Sequence, residues 1–170
     1  MSSHSTRVAP GEPDAAAVRH AVRAIAERHR ETDGALMPVL HEVQQIHRWL
    51  PRAAIRAIAE ELRMTPAEVY GVASFYHMFR LTPPGRTILT VCRGPACRVN
   101  GGATLVEEVQ LELDLEAAHG ATTPDGEFTL ETSACLGICP HAPAVQIEHD
   151  LRGRVTVDDL LDLIRRQRGY

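Results

Sequence analysis

Hydrophobic residues recur every three or four positions along the first half of the chain, a spacing that predicts helices with one buried face. The four predicted helices cover residues 14–31, 38–49, 52–62 and 66–76. Thr65 and Glu68 form the sequence pattern of a capping box at the start of the last helix. We therefore expect residues 14–80 to form a small helical bundle that follows a disordered N-terminus at residues 1–13.

One stripe of each predicted helix should face the core of this bundle. The residues on these stripes are Val18, Val22, Ile25, Ala26, Val39, Val43, Ile46, Ile55, Ile58, Ala59, Leu62, Val69, Val72, Ala73 and Tyr76. Four aromatic residues near the fourth helix are also predicted to lie mainly in the core, and any exposed members could dock a partner. These are Tyr70, Phe75, Tyr76 and Phe79. His41, His47 and His77 lack the spacing of a helical metal site, so we interpret them as packing, solvent or interface residues.

The periodicity changes after a turn-rich stretch at residues 81–85, from helical spacing to the β-branched runs typical of strands. The predicted elements are strands at 87–92, 128–132, 144–148 and 154–157, a helix at 103–115 and a last helix from Asp158 to about 168. A hairpin over residues 149–153 should join the last two strands. The order β-α-β-β-α is that of a thioredoxin-like fold, so residues 86–170 are predicted to form a thioredoxin-like α/β domain behind the helical bundle.

Composition and charge exclude several classes of function. The 170 residues carry a formal net charge of −4 and only 4% aromatic residues, so neither phosphate attraction nor base stacking favours a nucleic-acid partner. Residues 1–13 lack the apolar segment of a secretory signal, and no run approaches the roughly 18 apolar residues of a membrane span. We expect a cytoplasmic protein without direct membrane insertion.

All four cysteines lie in two short loops that are rich in Gly and Pro. Cys92 and Cys97 follow one predicted strand, and Cys135 and Cys139 follow another. Thiols of the reducing cytoplasm bind metals more often than they form disulfides. Two loops that leave the same end of one sheet can build one shared site, and four thiolates suit a [2Fe–2S] cluster, a [4Fe–4S] cluster or a structural zinc ion.

The spacing of the cysteines partly distinguishes between these three kinds of metal centre. Zinc knuckles favour C-x2-C pairs, whereas this chain has C-x4-C and C-x3-C. The C-x2-C-x2-C run of [4Fe–4S] ferredoxins and the C-x4-C-x2-C run of plant-type [2Fe–2S] ferredoxins do not occur, nor does the C-x-x-C of thiol–disulfide oxidoreductases. The spacing favours a [2Fe–2S] cluster, and a structural zinc site in an interaction protein is the alternative.

Several neighbours of the cysteines are candidates to influence the metal from outside its ligand set. Gly94 and Gly137 allow backbone N–H groups to approach the sulfurs. Arg93 and Arg98 flank the first loop, where a cation would favour reduction; as plain surface residues they would bind water or a partner's carboxylate. His141 could hydrogen-bond a sulfur or couple reduction to a proton, or it could be a solvated loop residue.

The cysteine loops also resemble a known family. Cys92-x4-Cys97, the segment Cys135-Leu-Gly-Ile-Cys139 and residues 142–147 resemble the thioredoxin-like [2Fe–2S] subunit of NADH:quinone oxidoreductase, which is the E subunit of respiratory complex I. Residues 38–51 and 68–76 resemble the helical part of that family. The chain departs from the usual pattern at Arg48, where the family often has Gly, and in its first loop, which is closer to soluble relatives linked to formate or hydrogen.

The resemblance implies that Cys92, Cys97, Cys135 and Cys139 bind one [2Fe–2S] cluster per chain. It also implies an electron-transfer subunit beside an FMN-bearing, NADH-oxidising flavoprotein and further iron–sulfur subunits. The parent complex would be of complex I type, at the cytoplasmic face of the membrane, or the diaphorase module of a soluble NAD-linked formate dehydrogenase or hydrogenase. The chain lacks a nucleotide-binding glycine fingerprint, so FMN and NAD are expected on the partner, with no catalytic residue here.

Overall fold

The computed structural model describes residues 13–116 and 119–168, which fall into two compact units that divide between Pro83 and Pro84. The predicted disordered segment at residues 1–13 lies, apart from Pro13, outside the described residues. Across the described ranges, every helix is too short or too polar to cross a membrane.

Four helices form the first unit. They are α1 (Ala15–Arg28), α2 (Leu36–His47), α3 (Arg52–Glu61) and α4 (Pro66–Phe75). The Asp14 carboxylate caps α1 by accepting the N–H of Ala17 at 3.0 Å. The capping box of Thr65 and Glu68 is present at the start of α4, as the sequence predicts. Side chains of all four helices fill one hydrophobic core, which includes most of the predicted stripe residues.

The C-terminal ends of α1 and α2 come earlier than the hydrophobic pattern predicts. Helix α2 stops at His47 because Arg48 adopts a left-handed backbone conformation with φ of 67°. Glycine adopts this conformation at little cost, whereas a residue with a Cβ is strained there. The structure therefore explains why a glycine suits this position and why Arg48 is unusual in it.

The buried stripe of α2 differs from the predicted one at a single turn. Ile46 is 57% exposed, whereas Gln44 is buried. The Gln44 Nε2 group donates to the carbonyl of Met78 at 2.7 Å, and its Oε1 accepts the N–H of Arg80 at 2.7 Å. Both ends of the amide are thus satisfied by the chain that follows α4, which is why a polar side chain lies in the core.

Replacing Gln44 by Leu is expected to lower the free energy of unfolding of the helical unit by about 2–4 kcal/mol. The substitution would leave a carbonyl and an N–H without partners, each at a cost of about 1–3 kcal/mol. Urea unfolding followed by the fluorescence of Trp49, the single tryptophan of the chain, measures this change. Gln45→Leu, at the exposed neighbouring position, is the control and should change stability by less than about 0.5 kcal/mol. Equal stabilities of the two variants would contradict the role of Gln44.

The prediction that the aromatic residues near α4 lie mainly in the core is wrong for three of the four. Only Phe79 is buried, whereas Tyr70, Phe75 and Tyr76 are exposed by 54%, 74% and 43%. Helix α4 buries little more than one narrow stripe, so most of its apolar side chains remain at the surface. Phe75 and Tyr76 contact each other edge to face, with their ring centroids 5.1 Å apart.

A carboxylate on α2 ties that helix to the end of α1. Glu42 Oε1 lies 2.6 Å from His29 Nε2, and its other oxygen accepts a hydrogen bond from Arg28. The hydrogen bonds from His29 and then Arg28 hold the pKa of Glu42 below its usual value of 4.5. A carboxyl with a depressed folded-state pKa adds stability that is present above its unfolded pKa and lost as the pH falls through the folded one.

Glu42→Gln is therefore expected to lower stability near pH 7 by up to about 1 kcal/mol, the usual range for a partly exposed ion pair. The difference from the wild type should shrink as the pH falls below 4.5, the usual pKa of a glutamate. Trp49 fluorescence in urea at pH 7, 5 and 3 measures both effects. Glu31→Gln, at an exposed position after α1, is the matched control. A difference that stays constant down to pH 3 would argue against the role of the Glu42 charge.

The second unit is built on a mixed five-stranded sheet. Its strands are β1 (Thr87–Cys92), β2 (Ala121–Thr122), β3 (Phe128–Ser133), β4 (Ala144–Ile147) and β5 (Asp150–Gly153), in the order β2-β3-β1-β4-β5. Strands β1 and β3 are parallel, and the other pairs are antiparallel. Its helices are the single turn α5 (Pro95–Cys97), α6 (Ala103–Leu113) and α7 (Val157–Arg168), with a π-helical turn at Arg98–Gly102 and a 3-10 turn at Cys139–His141. The helices α6 and α7 and the central strands share one hydrophobic core.

The end of this unit differs from the predicted hairpin. Ile147 pairs with Asp150, so the turn consists of Glu148 and His149 and the last strand is residues 150–153, not 154–157. The polar strand β5 is exposed along its whole length and leaves no hydrophobic signal, whereas Val155 is buried outside the sheet. Helix α7 is capped by Thr156, whose hydroxyl accepts the N–H of Asp159 at 3.2 Å, rather than by Asp158.

Candidate metal centre

The two cysteine loops begin at the same end of the sheet. Cys92 is the last residue of β1 and lies opposite Ser133, the last residue of the parallel strand β3. The N–H of Arg93 donates to the carbonyl of Ser133 at 2.8 Å, which joins the starts of the two loops. Cys135 follows two residues after Ser133, so parallel pairing brings the cysteine pairs together as the sequence predicts.

Glycines allow the loop backbones to approach closely. A Cβ on Gly94 would lie 2.8 Å from the carbonyl oxygen of Ala134 in the other loop. A Cβ on Gly102 would lie 2.8 Å from the carbonyl oxygen of Cys97 and 3.0 Å from that of Cys92. These are backbone atoms that cannot rotate away. A side chain at Gly94 would therefore force the two cysteine loops apart, and one at Gly102 would push the first loop away from the end of β1.

The four sulfurs form two pairs of different exposure. Cys92 and Cys97 are buried, each with 2% of its surface exposed, whereas Cys135 and Cys139 are exposed. The Sγ atoms of Cys135 and Cys139 are 4.0 Å apart, and the sulfur of Cys92 lies near those of Cys97 and Cys135. Apolar side chains surround the buried pair, among them Ala144, Leu136, Ile138 and Ala142.

Backbone N–H groups point at several of the sulfurs. The N–H of Gly137 donates to Cys135 Sγ at 3.3 Å, and Gly137 takes the left-handed φ of 82° that this loop requires. Burial opposes ionisation of Cys92, but hydrogen bonds from the N–H groups of Gly94 and Leu136 hold its pKa below the ordinary value. Such donors stabilise sulfur in its anionic form, which is the form that binds metals.

The pKa values of Cys97 and Cys139 are shifted in the opposite direction. Burial, together with the neighbouring Cys92, raises the pKa of Cys97, although the N–H of Ala144 partly offsets this effect. The adjacent Cys135 raises the pKa of Cys139. Thiols crowded in this way resist simultaneous ionisation until a cation compensates their charge, which is typical of a metal-ligand set.

Four sulfurs at one end of the sheet could hold either a single tetrahedral ion or a binuclear cluster. A tetrahedral zinc site requires all four sulfurs about 2.3 Å from one ion, and so about 3.8 Å from one another. In a binuclear [2Fe–2S] cluster, two thiolates would bind each iron.

The remaining predicted neighbours lie on the surface of the site. Arg93, Arg98 and His141 are all exposed, and within the described residues the His141 ring makes no hydrogen bond to a sulfur. The sequence did not point to Leu136 and Ala144, because these residues act through their backbone N–H groups and their side chains carry no polar group. Nor did it point to Gly102, whose position directly before α6 looks like an ordinary helix start.

Fold and site together define a thioredoxin-like α/β domain with a four-cysteine centre at one end of its sheet, preceded by a helical unit. The chain belongs to the thioredoxin-like [2Fe–2S] ferredoxin family, whose sequence model matches residues 22–168. This membership confirms the family resemblance and the fold class predicted from the sequence.

Relatives of the chain are subunits of NAD(P)-linked enzymes. The E subunit of NADH-quinone oxidoreductase from Pseudomonas aeruginosa is 39% identical over 140 residues, which cover 81% of this chain and 83% of the relative. The NADP-reducing hydrogenase subunit HndA of Solidesulfovibrio fructosivorans is 36% identical over 126 residues, covering 74% of this chain and 72% of the relative. A crystal structure of an NAD+-reducing [NiFe]-hydrogenase in the H2-reduced state matches 76% of this chain with a TM-score of 0.66 and 25% identity. The match covers only 22% of that hydrogenase chain.

Proposed function

We propose that this chain is an electron-transfer subunit that carries one [2Fe–2S] cluster on Cys92, Cys97, Cys135 and Cys139. The observation that carries the proposal is the meeting of four thiols, in two pairs, at the common end of β1 and β3. Membership of a [2Fe–2S] family supports the identity of the metal. The chain performs no bond chemistry of its own in this proposal.

The protein's contribution is to hold the ligands and to set their surroundings. A bound cluster would supply a one-electron redox couple. Cys92 and Cys97 are shielded from water by apolar neighbours, which lowers the local dielectric constant on their side. The N–H donors of Gly94, Leu136, Gly137 and Ala144 stabilise negative charge on the sulfurs and so favour the reduced state.

The exposed pair gives the site a side from which electrons can be exchanged. Cys135 and Cys139 lie at the protein surface, so a redox partner can approach their sulfurs without opening the fold. An influence of Arg93, Arg98 and His141 on the cluster stays a prediction, because each is exposed near a ligand without a hydrogen bond to a sulfur in the described structure.

The partner in this proposal is an FMN-containing subunit that oxidises NADH, together with further iron–sulfur subunits. The names of the relatives support this assignment, since they belong to NADH-quinone oxidoreductase and to NADP-reducing hydrogenase. The complex would be of complex I type, or a soluble formate dehydrogenase or hydrogenase diaphorase module, and we place it in the cytoplasm or at the cytoplasmic face of the membrane.

Anaerobic purification of the full chain tests the cluster. We expect about two irons and two acid-labile sulfides per chain, visible absorption, and a rhombic EPR signal of about one spin per chain after dithionite reduction. The alternative, a structural zinc protein with an interaction role, would be colourless and would contain about one zinc per chain without sulfide. That result would overturn the proposal.

A further inference from the structure

We propose that the cysteine-bearing end of the α/β unit is a docking face for the acidic surface of a partner protein, and that Arg93 and Arg98 are its main contacts. The inference deepens the proposed function, on which it rests for the identity of the partner. Its evidence is separate, because it comes from the pairing of the unit's arginines and not from the ligands.

The cations of the unit divide into two groups. The chain has no lysine, and eight of its arginines lie in the described part of the α/β unit. Five make ion pairs: Arg86 with Glu127, Arg152 with Asp150, Arg165 with Glu112, Arg166 with Asp162, and Arg168 with Asp125. Arg93, Arg98 and Arg154 make none with any described residue.

The three arginines without an ion pair all lie beside the cysteine loops. Arg93 directly follows Cys92, and Arg98 directly follows Cys97. The N–H of Arg154 donates to the carbonyl of His141 at 2.6 Å, two residues beyond Cys139. The other arginines in the described part of the unit are paired with nearby carboxylates, so the arginines without an ion pair lie at the cysteine-bearing end of the sheet.

The cysteine loops contain no acidic side chain. Residues 93–102 and 134–143 include two arginines and a histidine but no Asp or Glu, in a chain whose net charge is −4. An exposed guanidinium offers five donors in a planar fork that matches a carboxylate. A [2Fe–2S] cluster on four thiolates would itself carry a net negative charge, so the arginines beside it supply the positive charge that an acidic partner surface would meet at this end of the unit.

An apolar residue in the same loop indicates that the ligand is a protein. Val99, next to Arg98, is 86% exposed, the largest exposure among the large hydrophobic residues of the described chain. Protein interfaces combine apolar contacts with a charged rim, whereas a free phosphate gains nothing from an exposed valine. Docking here would also bring the partner next to the exposed Cys135 and Cys139.

The test uses the full-length, cluster-loaded chain and compares two double variants that remove the same charge. Arg93→Gln/Arg98→Gln removes the proposed contacts, whereas Arg86→Gln/Arg165→Gln removes two arginines that are paired elsewhere. The probe is the FMN-containing subunit that is isolated together with the tagged wild-type chain, and its Kd is measured by interferometry from 50 to 400 mM NaCl. Poly-L-glutamate and inorganic polyphosphate serve as competitors.

We expect the wild-type Kd to rise with NaCl, and the first variant to bind roughly tenfold more weakly at 50 mM, since each of two exposed ion pairs contributes about threefold to binding. The control variant should stay within about twofold of the wild type. Equal Kd values for the two variants, or binding that ignores salt, would overturn the proposal. Polyphosphate that competes better than poly-L-glutamate at equal charge would also overturn it, in favour of a phosphate site.

Further readouts separate docking from the other roles of these residues. Iron content and EPR should be unchanged in both variants, and a shift of midpoint potential without a change of Kd would replace docking by tuning of the cluster. If the wild type contains no iron or no FMN-containing subunit is isolated with it, the proposed function fails. Direct binding of poly-L-glutamate to the wild type and the two variants then still decides whether the face binds carboxylates.

Discussion

Cys97→Ser is expected to leave the chain with at most about a tenth of the wild-type iron after anaerobic purification. Cys97 is buried, contacts Cys92 and receives the N–H of Ala144. A serine hydroxyl ionises far less readily than a thiol, and burial without water makes its ionisation harder still. The hard oxygen is also a poorer ligand than sulfur for iron–sulfur clusters.

Cys139→Ser is the matched control because the same substitution falls on an exposed ligand. There water can solvate the oxygen, so we expect this variant to retain a larger share of its iron than Cys97→Ser. Iron and sulfide analysis gives the two shares, and far-UV circular dichroism checks that both variants fold. Full iron content in Cys97→Ser would remove Cys97 from the ligand set. Equal loss in both variants would show that burial does not distinguish the two pairs.

Gly102→Ala is expected to abolish cluster binding although all four cysteines remain. Gly102 has a helical φ of −61°, which alanine adopts without strain. The substitution is therefore opposed only by the steric contacts of the new Cβ. The new Cβ would lie 2.8 Å from the carbonyl oxygen of Cys97 and 3.0 Å from that of Cys92. Relief requires the loop to move away from β1, which would separate two of the ligands and cost about 1–3 kcal/mol of stability.

Gly71→Ala in α4 is the control for this change, since a Cβ there meets nothing within 4 Å. It should leave the cluster intact and stabilise its helix by up to about 1 kcal/mol, because alanine is the better helix former. Visible absorption per chain and the temperature of thermal unfolding are the measurements. If Gly102→Ala has the wild-type visible absorption, the loop can accommodate a Cβ at this position, and the prediction is wrong.

Local signals predicted most of the secondary structure. The capping box at Thr65 and the helical stripes of α1 and α3 depend on residues within one or two turns, so the sequence alone defines them. The strands β1 and β3 were predicted equally well, because a run of β-branched residues between two turns rarely forms any element other than a strand. Strand β2, only two residues long, and the polar strand β5 exist through pairing with a neighbour and leave no such signal.

Long-range contacts decided the exceptions in the helical unit. Gln44 is buried only because Met78 and Arg80, more than thirty residues away, supply partners for its amide. Tyr70, Phe75 and Tyr76 are exposed because the packing of α4 uses one narrow stripe, and an apolar side chain does not reveal which stripe that is.

The sequence by itself determined that four cysteines in two loops, each after a strand, would meet at one end of a sheet. It could do so because a strand delivers the residues that follow it to a definite edge, and parallel pairing puts both edges together. Only the tertiary structure decided which pair is buried, which N–H groups point at the sulfurs, how closely Gly94 and Gly102 must pack, and which arginines of the described residues have no ion pair. These properties depend on distances between residues far apart in the chain, and no local pattern encodes such distances.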